Sequence, residues 1–363
     1  NRAEYYQAFK EFDANGDTLT MEYIVGYAIS NSYHKRLAYM EGKKNVPLSV
    51  YAKQVKQSLS NLLNKAHRQT IPAGKRCLEN RRVVFGLQLN LGMNKQERDF
   101  VQSVWQFYQV NGRHTLLWRQ IKDPYRILVS EVMLQQTQVD RVIPKYQEFL
   151  AAFPTFGALA EAPLGAVLGH WQGLGYNRRA KMLHECAKAV VRDYGGRLPK
   201  DEAKLRVLPG IGPYTARAVL AFAFGIALPL IETNVRTVYI HHFFRDETDV
   251  TDAMLLPYIE RTLTQDNPRA WYYALMDYGS HLKRTVGNNI SKSKHYTKQS
   301  TFKGSDRQIR GAIIRQLTAL GSLSYKKLLV AVPFDELRVV AQLERLIEEG
   351  MVIKYGRSYQ LPN

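Results

Sequence analysis

Residues 207–218 read VLPGIGPYTARA, a Gly-Ile-Gly turn followed at once by proline and a run with helical spacing. Glycine tolerates backbone conformations closed to other residues, and Pro213 suits the first helical position, where its missing N–H is no loss. Leu208 and Ile211 are placed to anchor the turn in a core, and Tyr214 to Leu220 continue as an amphipathic helix. The expected product is a tight turn at a helix N-terminus whose backbone N–H groups face outward unpaired, a natural seat for a phosphate. Glycines also close turns for steric reasons alone, so the turn by itself leaves both readings open.

The surrounding chain favours the phosphate. In context the segment has the layout of a helix-hairpin-helix, a clamp on one strand's phosphates that is blind to base sequence. The chain carries 51 Lys plus Arg against 32 Asp plus Glu, a net charge of +19. An excess so one-sided repels itself unless an acidic partner binds, and nucleic acid is the expected one. At 363 residues with 45% hydrophobic content, two or three domains with real cores are expected. The longest apolar run, Ala218 to Ile231, is too short to span a bilayer and is broken by Gly225 and Pro229. No charged-then-apolar signal layout opens the chain, and the missing initiator Met points to a trimmed or partial product. A soluble, cytoplasmic, nucleoid-associated bacterial protein with no membrane partner is the expectation.

Residues 1–94 read as a helical accessory region without chemistry. Asp13-Ala14-Asn15-Gly16-Asp17 resembles the start of a calcium loop, yet Thr18 and Ile24 stand where that loop needs Gly and Glu. Residues 48–68 have helix-turn-helix rhythm, with Lys53, Lys56, Lys65 and Arg68 available for phosphates.

The chemistry is expected in the centre, over 95–296, where helical periodicity dominates and no alternating strand pattern stands out. Asp123-Pro124 opens a helix whose spacing leaves Glu131 near a face otherwise bound for the core. Such a carboxylate is either a paired structural charge or an acid whose pKa burial raises. The polar cluster Gln135 to Gln138 can fill a gap in a base stack. Trp171 to Arg179, with glycines, an aromatic ring and two guanidiniums, repeats the theme.

Three segments, PYRILVSEVMLQQTQVDRVIPKY, WQGLGYNRRAKMLHECAKAV and LPGIGPYTARAVLAFAFG, in this order and spacing, closely resemble the MutY-type adenine DNA glycosylases of the helix-hairpin-helix (HhH-GPD) superfamily. The likeness covers roughly residues 104–296. It implies an all-α, two-lobed enzyme, a monomer whose cleft accepts a base flipped from double-stranded DNA carrying a mismatched or damaged pair. By matching positions, the resemblance makes Glu131 the general acid and Glu232 the carboxylate that stabilises the sugar cation. Asn234 braces the carboxylates. Tyr214 occupies the place where strand-cutting relatives have a nucleophilic lysine, so cleavage of the base alone is implied. Trp118, Arg119 and Leu134 are implied to shape the base pocket, and Gln136 and Tyr176 to wedge into the duplex. Further DNA contacts are implied for Arg178, for Leu208, Gly210, Gly212 and Thr215 of the hairpin, and for Arg236, Lys292 and Lys294. Backbone carbonyls of Arg206, Leu208 and Ile211 are implied to hold a K⁺ or Na⁺ ion.

The chain departs from that family in three places. Glu232-Thr233-Asn234-Val235 stands where the family has Asp-Gly-Asn-Val, giving a carboxylate with roughly 1.5 Å more reach. With only Cys77 and Cys186, the family's four-cysteine iron–sulfur cluster cannot be assembled, so no required cofactor is expected. Between His281 and Arg310 there are eight Lys or Arg and one acid, Asp306, cations suited to take over the lost loop's DNA contact. The family's usual C-terminal domain is also unrecognisable. Over 297–363 a basic linker leads instead to three helices, Ser305 to Leu317, Ser324 to Val332 and Asp335 to Glu349, and a two-stranded wing at 351–361. That is winged-helix order, fit to bind DNA or a protein.

Adenine excision from a mismatch with G or 8-oxoguanine is the activity the resemblance implies. Removal of thymine or uracil from G mismatches stays open because related enzymes also carry a Tyr at the hairpin. A silent, damage-sensing DNA-binding protein stays open because of the Asp-to-Glu change.

Overall fold

The computed structural model describes residues 93–298 and 301–363. The helix-turn-helix expected at 48–68, the turn at 13–17 and Cys77 lie outside the described residues. Helix α1 (Lys95–Asn111) opens with a reciprocal cap, in which Asn94 Oδ1 accepts from the Glu97 N–H and Glu97 Oε2 from the Asn94 N–H, both at 2.9 Å. Helix α2 (Pro124–Leu134) begins as expected, with Pro124 first and Asp123 accepting from the Arg126 N–H at 2.8 Å. Then come α3 (Val139–Ala152), α4 (Phe156–Glu161), α5 (Leu164–His170), α6 (Arg178–Tyr194), α7 (Glu202–Arg206) and α8 (Pro213–Phe224). A second group comprises α9 (Thr233–Phe243), α10 (Asp252–Thr262) and α11 (Pro268–Thr285), with α1 packed on α11. Among the described residues of 104–296 the only β pairing is an isolated bridge between Val250 and Ser293.

Two apolar cores define two lobes. Leu128, Phe149, Trp171 and Leu183 lie in the first, and Phe100, Tyr239, Trp271 and Tyr272 in the second. Helices α2 and α8 serve both: Leu128, Met133 and Val219 face one way, Ile127, Ala218 and Phe222 the other. They form the wall between the cores. Glu131 lies one turn beyond Ile127, and Tyr214 one turn before Ala218, so both side chains leave the wall toward the second lobe. In that lobe α9 and α11 cross so closely that a Cβ on Gly279 would fall 2.5 Å from the Asn234 carbonyl oxygen and 2.7 Å from its Cβ.

The C-terminal region contains α12 (Asp306–Leu320), β1 (Ser322–Ser324), α13 (Tyr325–Ala331), α14 (Glu336–Glu348), β2 (Ile353–Tyr355) and β3 (Ser358–Gln360). Its antiparallel sheet has the order β1-β3-β2, with Leu323 opposite Tyr359 and Lys354 opposite the same residue on the other side. The expected two-stranded wing thus gains a third strand, which three residues are too short to announce by alternation. Helix α12 also runs past Leu317, ending at Gly321 with φ 73°. Ile309, Ile313, Leu346 and Met351 share one continuous core with the first lobe. Helix α12 packs on α5, and the Gly165 N–H donates to the Pro362 carbonyl at 2.8 Å.

Candidate active site between the two lobes

Glu131 is buried, 5% exposed, and its Oε2 accepts from the Tyr214 hydroxyl at 3.0 Å. Burial pushes its carboxyl up to about 7, and the charge of Glu232 adds to the rise, while the phenol and Arg119 oppose it. The Tyr214 hydroxyl is driven well above its ordinary value by burial and by the two carboxylates, so it stays a donor. Glu131 therefore keeps its proton to higher pH than an ordinary carboxyl does.

Glu232 stands at the start of α9 in a different setting. Its Oε1 accepts from the backbone N–H of Asn234 at 2.8 Å and of Val235 at 2.9 Å, and its Oε2 from the Asn234 amide at 3.2 Å. The longer side chain is thus curled into an N-cap, where the helix dipole favours the anion. Burial raises its pKa, opposed by those three donors and by Arg236. Asn234 braces Glu232 by direct contact, and the Gly279 crossing holds the Asn234 backbone in place.

Arg119 faces Glu131 electrostatically, yet its guanidinium is held elsewhere. It forks onto Asp277 at 2.6 and 2.8 Å and lies 4.4 Å from the centre of the Tyr273 ring. Asp277 also receives the Arg113 N–H at 2.8 Å and its Nε at 2.6 Å. Burial works against the Asp277 charge, but the two arginines hold its carboxyl below the usual range. Trp118 is buried in the first core, edge-on to Tyr146, and Leu134 is half-buried beside that core.

Gln136 and Tyr176, the residues expected to wedge, sit on two turns stitched together by one side chain. Gln136 and Tyr176 both have left-handed backbones, φ 56° and 49°, a conformation that costs a bulky residue about 1–3 kcal/mol and clusters at functional sites. Arg179 holds both turns. Its guanidinium donates to the carbonyls of Val132, Met133 and Gln135 at 2.6–2.9 Å, to Thr137 Oγ1 at 3.0 Å, and to the carbonyls of Leu174 and Gly175 at 3.2 and 3.0 Å. It thereby satisfies the open end of α2 with a positive charge. Thr215 is buried and receives Gln135 Nε2 at 3.3 Å, which ties the same turn to the hairpin helix.

In the hairpin, Gly210 has φ 75°, and a Cβ there would meet Met182 Cβ at 2.6 Å. Leu208 and Ile211 are buried as anchors, whereas Val207, Gly210 and Gly212 are exposed. One detail differs from expectation: the Ile211 N–H does not face outward but closes the turn onto the Leu208 carbonyl at 3.2 Å. Arg178 is exposed. Arg236 is forked onto Asp252 at 2.7 and 2.8 Å, and the Lys292 ammonium donates to the Arg245 carbonyl. Lys283, Arg284, Lys294 and Lys298 are exposed.

A cavity of about 920 Å³ runs from the wedge turns and the hairpin to α12, bordered by six arginines, among them Arg141, Arg178 and Arg307, five glutamines and no carboxylate. Sequence reasoning missed Asp277, Gly279 and the structural part of Arg179. Their only signal was membership of the segments MDYGS and YNRRA.

The structure thus brings together a buried carboxyl held by a phenol, a second carboxyl capped at a helix start, and, beside them, a glycine turn and two turns with left-handed residues. Residues 129–256 match the family described as "HhH-GPD superfamily base excision DNA repair protein", and the chain belongs to that superfamily. Within it, the likeness is to MutY-type enzymes. The chain is 35% identical over 182 residues to the adenine DNA glycosylase of Buchnera aphidicola subsp. Baizongia pistaciae, covering 50% of this chain and 52% of the relative. It is 34% identical over 278 residues to the adenine DNA glycosylase of Mycobacterium tuberculosis, covering 68% and 88%. The thymine/uracil-DNA glycosylase of Methanothermobacter thermautotrophicus is 32% identical over 151 residues, covering 41% and 68%. The chain thus spans about half the length of the Buchnera relative. Among the described residues no helix is long and apolar enough to cross a membrane.

Proposed function

We propose that this protein hydrolyses the bond between adenine and its sugar in mismatched or oxidised base pairs of double-stranded DNA, acting as a monomer and leaving the strand uncut. The observation that carries this reading is the pairing of unlike carboxylates: Glu131, buried with one phenol donor and pushed up to about 7, and Glu232, held by three donors at a helix N-terminus. Environments that pull two acids apart assign them an acid and an anion role. Glu131 donates its proton to a ring nitrogen of the flipped base, so the electron pair of the breaking bond leaves on a neutral base. Glu232 then offsets the positive charge on the sugar, and water, deprotonated by the now ionised Glu131, completes the hydrolysis. Tyr214 has no amine to form a Schiff base with the sugar, which supports cleavage of the base alone.

The proposed steps call on no cofactor. Cys186, the one cysteine among the described residues, is buried with its thiol pushed up by burial to about 12, and a lone cysteine cannot supply the four thiolates of an iron–sulfur cluster. The carbonyls of Arg206, Leu208 and Ile211 are hard oxygen donors that suit K⁺ or Na⁺; the Leu208 oxygen keeps a lone pair beyond the Ile211 N–H. Bound there, the ion would add positive charge beside a phosphate.

Duplexes labelled in one strand and carrying A, T or U opposite G or 8-oxoguanine test the proposal. Alkali-sensitive sites at A alone, with no breakage before alkali, are expected. Preferred release of T or U would favour the second reading, which the similarity to the thymine/uracil-DNA glycosylase supports. Tight binding without any release would leave a damage-sensing protein.

A further inference from the structure

Two guanidiniums contact Tyr176. Arg179 places its guanidinium 5.5 Å from the ring centre, and Arg307 places its own at 5.2 Å while donating Nη1 to the phenol oxygen. Arg179 belongs to the same turn and lobe as the ring it touches. Arg307 comes 131 residues later, from the first turn of α12 in the winged-helix region.

The backbone that carries Arg307 is itself fixed. Arg338 Nη2 donates to Asp306 Oδ1 at 2.6 Å and to the Gly304 carbonyl at 2.9 Å, and Gln308 Oε1 accepts the Gly304 N–H at 2.7 Å. One turn on, Arg310 pairs with Glu349 at 2.6 Å, and Lys181 of α6 donates to the Glu349 carbonyl. Helix α12 is thereby tied, through Glu349, to the helix that follows Tyr176. A planar guanidinium can donate to the phenol and lie over the ring together, which an ammonium cannot do as well.

We propose that Arg307 is a positioning residue for the wedge: it holds the Tyr176 ring in its inserting orientation, so that opening of the duplex depends on the C-terminal region although that region supplies nothing to Glu131 or Glu232. The proposal rests on Tyr176 acting as a wedge, as in the reading above.

The test is a double-mutant cycle on the full chain, read by the fluorescence of 2-aminopurine beside the target pair, which reports unstacking, and by dissociation constants for mismatched and fully paired duplexes. Tyr176→Ala and Arg307→Ala should each reduce unstacking about tenfold, the scale of one charge-assisted contact. The double variant should be no worse than Tyr176→Ala, because one removes what the other positions. Affinity for the mismatched duplex should fall more than affinity for the paired one. Tyr176→Phe deletes only the oxygen that Arg307 donates to and leaves the winged helix untouched; it should lose part of the unstacking, and Arg307→Ala should cost less in that background. Arg307→Lys should recover only part of the effect. If Tyr176→Ala unstacks normally, the wedge reading itself fails. If Tyr176→Ala is impaired but the two losses multiply, or Arg307→Ala weakens paired and mismatched duplexes alike, Arg307 is a phosphate ligand and the proposal is overturned.

Discussion

Glu131 and Glu232 feel each other's charge and are both raised by burial, yet their hydrogen-bond surroundings differ. The first lobe sends Glu131 out of a helix interior, where no free N–H is available and a single phenol is its partner. The second lobe places Glu232 at a helix start, where two unpaired backbone N–H groups and a side-chain amide converge. Position along a helix decides how many donors oppose the rise that burial causes, because helix interiors have spent their N–H groups and N-termini have not. The extra methylene of Glu232 fits this picture: it lets the carboxylate fold back onto its own helix.

The comparison breaks first at Glu131. Glu131→Gln should lower single-turnover excision by about 10²- to 10⁴-fold while duplex affinity is kept; near wild-type excision would remove the acid from the mechanism. Its stability has a sign as well. A carboxyl whose folded pKa lies near 7 stabilises the fold only while protonated, so its contribution is present below the ordinary value of 4.5 and fades as the pH rises toward 7. Glu131→Gln should therefore raise Tm more at pH 8 than at pH 4, by a few degrees.

At Glu232 charge and length can be separated. Glu232→Gln should cost about 10²-fold in excision by removing the anion. Glu232→Asp retains charge and a good cap and should stay within about tenfold. Equal losses in both would mean that reach, and not charge, is what the second lobe supplies.

Gly279→Ala strikes the second lobe alone. Its Cβ would meet backbone at 2.5 Å, so α9 and α11 must separate, at about 1–3 kcal/mol. A lower Tm, with reduced excision and unchanged paired-duplex affinity, is expected; an unaltered Tm would show that the crossing yields easily.

The smallest effect is a shift in pH dependence. Excision needs the acid form of Glu131, so the rate should fall above about pH 7. The Tyr214 hydroxyl stabilises the carboxylate, hence Tyr214→Phe should move that fall to higher pH. A midpoint that stays or moves down would show that the phenol does not hold Glu131 in solution.

Motifs local in sequence were legible because local physics makes them. The Gly210 turn, the proline-led helices α2 and α8, the caps and the order of the C-terminal helices follow from residues a few positions apart. The pairing of Glu131 with Tyr214 was approachable only through family likeness, since 83 residues separate them. Asp277 gathering Arg113 and Arg119, Gly279 admitting Asn234, Arg179 tying two turns and Arg307 reaching Tyr176 were decided by tertiary packing alone. An arginine or aspartate in a sequence announces a charge but not its partner. Which partner it finds depends on how whole helices dock, and that is set by the two cores and not by the residue's neighbours.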